Sequence, residues 1–182
     1  AGDLPEVAAF LHERMARRQF APAWDAGAMT QPGLVWMTLR QGGTIAGVIG
    51  VWDQRASRQA VLRGMPPAIA RVRRIANLAA PTLRLPAIPA PGQPIAQAFL
   101  TGLAVMDDDP ELALALTAAG IAHAARIGAQ VATIGLPAGH AWLAPVRRRF
   151  RAIEYQTQLH IAYWPEAAPA VAALDPAPAF PD

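Results

Sequence analysis

The chain has no cysteine and no lysine, and Ser57 is its only serine. Without cysteine there is no thiol nucleophile, no thiolate zinc site and no disulfide framework. No Gly-x-Ser-x-Gly surrounds Ser57, which excludes a serine hydrolase of the nucleophile-elbow kind. The four histidines, His12, His123, His140 and His160, are dispersed without an HExxH or close acid spacing, so no metal is expected. Phosphate-binding Walker loops and dinucleotide fingerprints are absent as well. Long apolar runs are also missing: the longest uncharged stretch, residues 85–106, is broken by Pro86, Pro89, Pro91, Gly92 and Pro94 and cannot form a membrane-spanning helix. Residues 1–18 mix Asp3, Glu6 and Glu13 with arginines, unlike an export signal, so a cytoplasmic protein is expected. The chain does not begin with methionine, which suits one domain of a longer polypeptide.

Because lysine is missing, all sixteen basic residues are arginine, and thirteen acids leave a net charge of +3. That modest charge is weaker than a nucleic-acid signature, and no nucleic-acid partner is expected. A length of 182 residues suits a single domain with its own core, placed at residues 1–164, with an Ala/Pro-rich tail at 165–182.

Asp3-Leu4-Pro5-Glu6 starts a helix, and Val7, Phe10, Leu11 and Met15 carry its apolar face to about Phe20. Residues 34–39 and 45–52 are strand-like, and Gln41-Gly42-Gly43-Thr44 turns them into a hairpin. Residues 53–97, Pro- and Arg-rich with a basic amphipathic piece near 69–78, are expected as a long irregular excursion. A strand over 99–106 follows, then a helix opened by Asp109-Pro110-Glu111 and ended by Gly128. A strand over 130–136, a helix over 139–150 and a long final strand over 153–164 complete the pattern. Alternation of this kind predicts an α/β fold, with parallel strands under helices joined to an antiparallel hairpin.

This order of elements resembles the GNAT superfamily of acyl-CoA N-acyltransferases across residues 3–164. Local similarity lies in Gly43-Thr44-Ile45-Ala46-Gly47-Val48-Ile49-Gly50 and in residues 99–106. Trp52-Asp53-Gln54-Arg55 followed by Gln59-Ala60-Val61 is similar to a bacterial branch with GNAT-like domains in tandem. The resemblance implies a mixed central sheet with helices on both faces and an acetyl-CoA or other acyl-CoA donor. It also implies an amine acceptor, and a homodimer or a neighbouring domain as partner. Leu103, Ala104 and Val105 would pair with the pantetheine arm, and the helix N-terminus at Asp109 would face the pyrophosphate.

The sequence departs from the family where the pyrophosphate loop carries glycines, which let the backbone approach a phosphate. Here Met106-Asp107-Asp108-Asp109-Pro110-Glu111 supplies three adjacent carboxylates, and helix capping is their alternative role. The family's Asn and, seven residues on, its proton-donating Tyr align with His140 and Arg147. Arginine cannot act as an acid at neutral pH, so His140 and Tyr155 become the catalytic candidates. Their alternatives are capping for His140 and packing along the last strand for Tyr155. Arg71, Arg73 and Arg74, with Arg63 nearby, could reach a phosphate, whereas Arg147, Arg148, Arg149 and Arg151 suit a helix C-terminus. The functional expectation is N-acyl transfer from CoA to an amine, with a non-catalytic regulatory or scaffolding GNAT module as the alternative.

Overall fold

A computed structural model describes residues 3–16, 18, 21–83, 85–150, 152–158 and 160–174. Helix α1 (Leu4–Met15) buries Val7, Leu11 and Met15, an i, i+4, i+8 stripe on one face. It ends at Met15 with Ala16 as its C-cap, residues 17, 19 and 20 of the expected helix lie outside the described residues, and Asp3 makes no side-chain cap bond. A one-turn helix that the sequence pattern missed, α2 (Ala26–Met29), is capped by the Asp25 carboxylate, which accepts from the Ala28 amide.

Strands β1 (Leu34–Gln41) and β2 (Thr44–Trp52) form the expected antiparallel hairpin. Its turn residues, Gly42 and Gly43, have φ of +58° and +88°, the signs a two-residue hairpin loop demands. β2 then pairs antiparallel with β3 (Gln97–Val105), which pairs parallel with β4 (Val131–Ile134), giving a mixed sheet of order β1-β2-β3-β4. Residues 45–51 of β2 are all buried, as an apolar run covered on both faces should be.

The two faces are separate cores. Val48 and Ala104 pack with Val7, Leu11 and Trp36 on the α1 side. Ile49, Val51, Leu103 and Val105 pack on the other side with Leu116 and Ala124 of α4 (Pro110–Arg126). Each such Val, Ile or Leu contributes about 1.5–3 kcal/mol of burial. α4 starts as expected, with the Asp109 carboxylate accepting from the Glu111 amide at 2.8 Å, and Gly128 at φ +83° follows its end.

Four expectations need correction. Residues 53–97 are not irregular throughout: they hold the 17-residue helix α3 (Pro67–Leu83). Pro81 sits in its last turn, where it removes the amide that would bond to the Asn77 carbonyl. Only Ala80 of α3 is buried, while Val72, Ile75 and Leu78 are exposed. The helix over 139–150 shortens to α5 (Leu143–Arg149), and the strand over 130–136 to β4. No strand forms among the described residues of 153–164, whose side chains face solvent. That alternating pattern has no neighbouring strand to satisfy it. The tail holds α6 (Ala168–Ala172) after a 3₁₀ turn. No helix among the described residues is long and apolar enough to cross a membrane.

The Trp52-Asp53-Gln54-Arg55 stretch has a structural role. Arg55 donates Nη2 to the Ile127 carbonyl at 2.7 Å and forks onto the Asp53 carboxylate at 2.8 and 2.6 Å. It therefore places a cation at the negative end of α4. Its guanidinium in turn holds the Asp53 carboxyl below its usual value.

Candidate functional site

Pairing between β3 and β4 stops at Leu100 with Ile134, yet β3 continues to Val105. Residues 101–105 thus have β2 on one side and, among the described residues, no strand on the other. A bulge against β2 lies in the same stretch: Val48 faces Ala104 and Gly50 faces Thr101, so β3 carries one extra residue. Gly102 takes the left-handed backbone there, φ +58°.

The exit of β3 turns through Met106–Asp108, where Asp107 and Asp108 have φ of +53° and +50°. Three chain segments meet at Asp108. Its carboxylate accepts from Arg18 Nη2 at 2.6 Å, and its carbonyl accepts from the Trp142 indole Nε1 at 2.8 Å. Trp142 lies between β4 and α5 and is fully buried. The strands part after Leu100 and Ile134, and the indole bridges their exits again. The Arg18 guanidinium lies 5.5 Å from the indole centroid, within cation–π range. Leu103, Ala104 and Val105 are only 2 %, 3 % and 2 % exposed, so the unpaired edge is roofed over in this conformation.

His140 completes the cluster, its ring centroid 4.3 Å from that of Trp142. Its Nδ1 accepts from the Trp142 amide at 3.2 Å, which leaves the proton of the neutral ring on Nε2; it does not cap α5, whose N-cap is Trp142 with no side-chain cap bond. Burial, then the Arg18 charge, lowers its pKa below the ordinary 6.5, with Asp108 opposing. The unfolded chain therefore takes up this proton first, and stability falls as pH drops through the ordinary histidine value toward the folded one. Urea midpoints measured from about pH 7.5 to about pH 5 should decline in the wild type, and His140→Gln should flatten the histidine part of that slope. Equal slopes in the two proteins would show that His140 does not contribute.

The structure brings Leu103, Ala104, Val105, Asp109 and His140 to one end of the sheet through β3, the N-terminus of α4 and the loop before α5. Asp109 caps α4 with its own carboxylate. Tyr155 stands elsewhere, 69 % exposed on the segment without a strand. Arg71 and Arg74 are exposed on α3, and Arg73 donates to the Ile88 carbonyl. Arg147 pairs with Glu154 at 3.0 Å, and Arg151 lies outside the described residues. Arg18 and the bridging bond of Trp142 have no signal in the sequence, since each joins Asp108 from a distant segment. A hollow of about 380 Å³ opens beside Asn77, Pro81, Leu85 and Gln130, at the entrance of β4 rather than at the exits where open α/β sheets bind ligands. Among the described residues no three His, Asp or Glu side chains cluster to hold a metal.

No protein-family model matches the sequence, and no curated protein is similar to it. Two solved structures are similar in fold. One, named "Putative acetyltransferase from Agrobacterium tumefaciens", is 12 % identical, with 90 % of this chain and 96 % of that chain covered and a TM-score of 0.51. The other, a GCN5-related N-acetyltransferase from Ralstonia eutropha, is 15 % identical, with 88 % and 94 % covered and a TM-score of 0.47. The chain has a GNAT-like α/β fold, divergent in sequence and bearing its helices on both faces of a mixed sheet.

Proposed function

We propose that this domain transfers an acyl group from acetyl-CoA or another acyl-CoA to an amine, gripping the donor by its pantetheine arm. The observation that carries the reading is the free edge of β3 past Leu100. On the side away from β2 these residues have no ladder partner among the described residues, and the amides of an extended arm can pair there with Leu103, Ala104 and Val105 as an added strand would. The donor supplies the activated acyl group. His140, neutral and carrying its proton on Nε2, is the group we assign to donate a hydrogen bond to the leaving sulfur. Tyr155 takes this role only if residues 153–164 move onto the sheet. Acyl-CoA pools are cytoplasmic, and we place the protein there.

The N-terminus of α4 does not fit a diphosphate. Asp109 already occupies the Glu111 amide, Pro110 has no N–H, and Asp107 and Asp108 add like charge. Affinity therefore rests on the arm, and access to the edge requires the Trp142 bridge to open. Calorimetry and thermal shift with acetyl-CoA and with S-acetyl-pantetheine test this. Both ligands should bind, with dissociation constants within about threefold of each other, a difference below roughly 1 kcal/mol. No heat and no shift with either ligand at millimolar concentration would remove the transfer reading.

A second reading is favoured by the three aspartates and by the roofed edge: a non-catalytic GNAT-fold module that scaffolds or regulates a neighbouring domain. It expects no binding of either ligand.

A further inference from the structure

Helix α3 is held to the domain by one narrow side. Arg73 donates to the Ile88 carbonyl at 3.4 Å, and Asn77 exchanges hydrogen bonds with the Ile88 backbone at 3.0 and 2.8 Å. Together with Ala76 and the buried Ala80, these are the residues of the helix that are not exposed, an i, i+3, i+4, i+7 set on one face. The outer side is not the polar surface that water favours. At about 100° per residue, Ala68, Val72, Ile75, Leu78 and Ala79 share an arc of about 120°. All five are exposed, Ile75 at 71 % and Leu78 at 81 %. Arg71 falls within that arc and Arg74 at its border. A contiguous apolar stripe of this length marks an interaction surface.

Charge identifies what the stripe meets. Residues 54–106 hold seven arginines and no acid, whereas the remaining nine arginines are outnumbered by thirteen acids. The positive charge of the chain is therefore concentrated in the segment that carries α3, and the rest of the molecule is net negative. An extended anionic surface attracts the first and repels the second, so it turns the domain with α3 foremost.

We infer that α3 lies in the surface of an anionic phospholipid bilayer, its aliphatic stripe among the outer acyl carbons and Arg71 and Arg74 at the head-group phosphates. The stripe stands on the outside of a helix, a ridge, and a bilayer receives a lone convex helix without a matching groove. Arginine suits the boundary, since its guanidinium forks onto phosphate oxygens while its stem stays in the apolar layer. A second copy docking α3 on α3 would bring Arg71 and Arg74 against their own counterparts, where like charges repel. The chain itself leaves the stripe uncovered among the described residues. Lying in the interface differs from crossing it, and a 17-residue helix with three arginines does the former. Neither the β3 edge nor His140 takes part, so the outcome is independent of acyl transfer.

Flotation of the 182-residue chain with phosphatidylcholine vesicles containing roughly a third phosphatidylglycerol, beside vesicles of phosphatidylcholine alone, tests this. The chain should float with the anionic vesicles and stay behind with the neutral ones. Arg71→Gln/Arg74→Gln should weaken partitioning by about thirtyfold, about fivefold for each arginine. Ile75→Ser/Leu78→Ser should weaken it by at least about tenfold, with circular dichroism unchanged because both positions are exposed. Arg148→Gln, an exposed position outside the segment, should change it by less than about twofold. Since the chain has no cysteine, Ile75→Cys can carry a single environment-sensitive fluorophore, which should shift to the blue when anionic vesicles are added. No flotation, equal flotation with neutral vesicles, or flotation that survives both double variants overturns the inference, as does an equal loss in Arg148→Gln. A fluorophore already shifted without vesicles overturns it too: light scattering at twice the chain mass then assigns the stripe to a second copy, and at the chain mass to the chain itself.

Discussion

Replacing Trp142 by alanine is expected to cost about 3–5 kcal/mol, seen as a fall in melting temperature of about 10 °C. The side chain is fully buried in the α4-side core, beside Val146 and Leu103, so alanine leaves a large cavity. It also strands the Asp108 carbonyl that the indole satisfies at 2.8 Å and removes the surface against which Arg18 and His140 rest. Trp142→Phe separates these effects. It keeps most of the volume but loses the hydrogen bond, a loss of about 1 kcal/mol. If the bridge limits entry to the β3 edge, that variant binds acetyl-pantetheine more tightly than the wild type although it is less stable. Calorimetry beside denaturant unfolding reads both signs. A Trp142→Ala protein within 1 kcal/mol of wild type would show that the indole is not part of the core, about a factor of five in the folding equilibrium.

The second large effect is Gly102→Ala, expected to destabilise by about 2–4 kcal/mol. Two penalties combine. The residue has φ +58°, where an L side chain is strained, and its Cβ would lie 2.8 Å from Trp36 Cη2 and Cζ3. Trp36 cannot easily yield: its Nε1 donates to the Met29 carbonyl at 3.0 Å, and its ring stands edge-on to Trp24, centroids 4.9 Å apart. Adding Trp36→Leu should recover the steric part but not the backbone part, so a double-mutant cycle gives a non-zero coupling. Additive losses would mean that the strain lies in the backbone alone. Because Gly102 lies in the bulge of β3 against β2, a surviving variant also tests whether the bulge shapes the free edge.

The sequence reveals most where local chemistry and burial agree. Asp109-Pro110 opens α4, Gly42-Gly43 turns the hairpin, and the apolar run of β2 marks the middle of the sheet. It misleads where one pattern serves two environments. Alternation over 153–164 reads as a half-buried strand, yet its described residues form no strand and face solvent. Helix α3 is obscured by Pro81 and the prolines after it, although the Val72, Ile75 and Leu78 stripe is periodic. At the site, the β3 edge and Asp109 follow from element order, whereas the meeting of Arg18, Asp108 and Trp142 is created by folding alone. Resemblance drew attention to Trp52-Asp53-Gln54-Arg55 for lineage, and the structure gives it a physical task at the end of α4.

The turn at Asp107 and Asp108 sets backbone preference against charge. Its backbone occupies the region where glycine is at ease, while its side chains repel the anion that such a turn commonly welcomes. Aspartate and glycine codons differ by a single base, so each position lies one nucleotide from a neutral residue that suits its dihedral angles better. Glycine at position 107 would relax the left-handed backbone and remove one like charge, whereas glycine at 108 would also remove the carboxylate that holds Arg18.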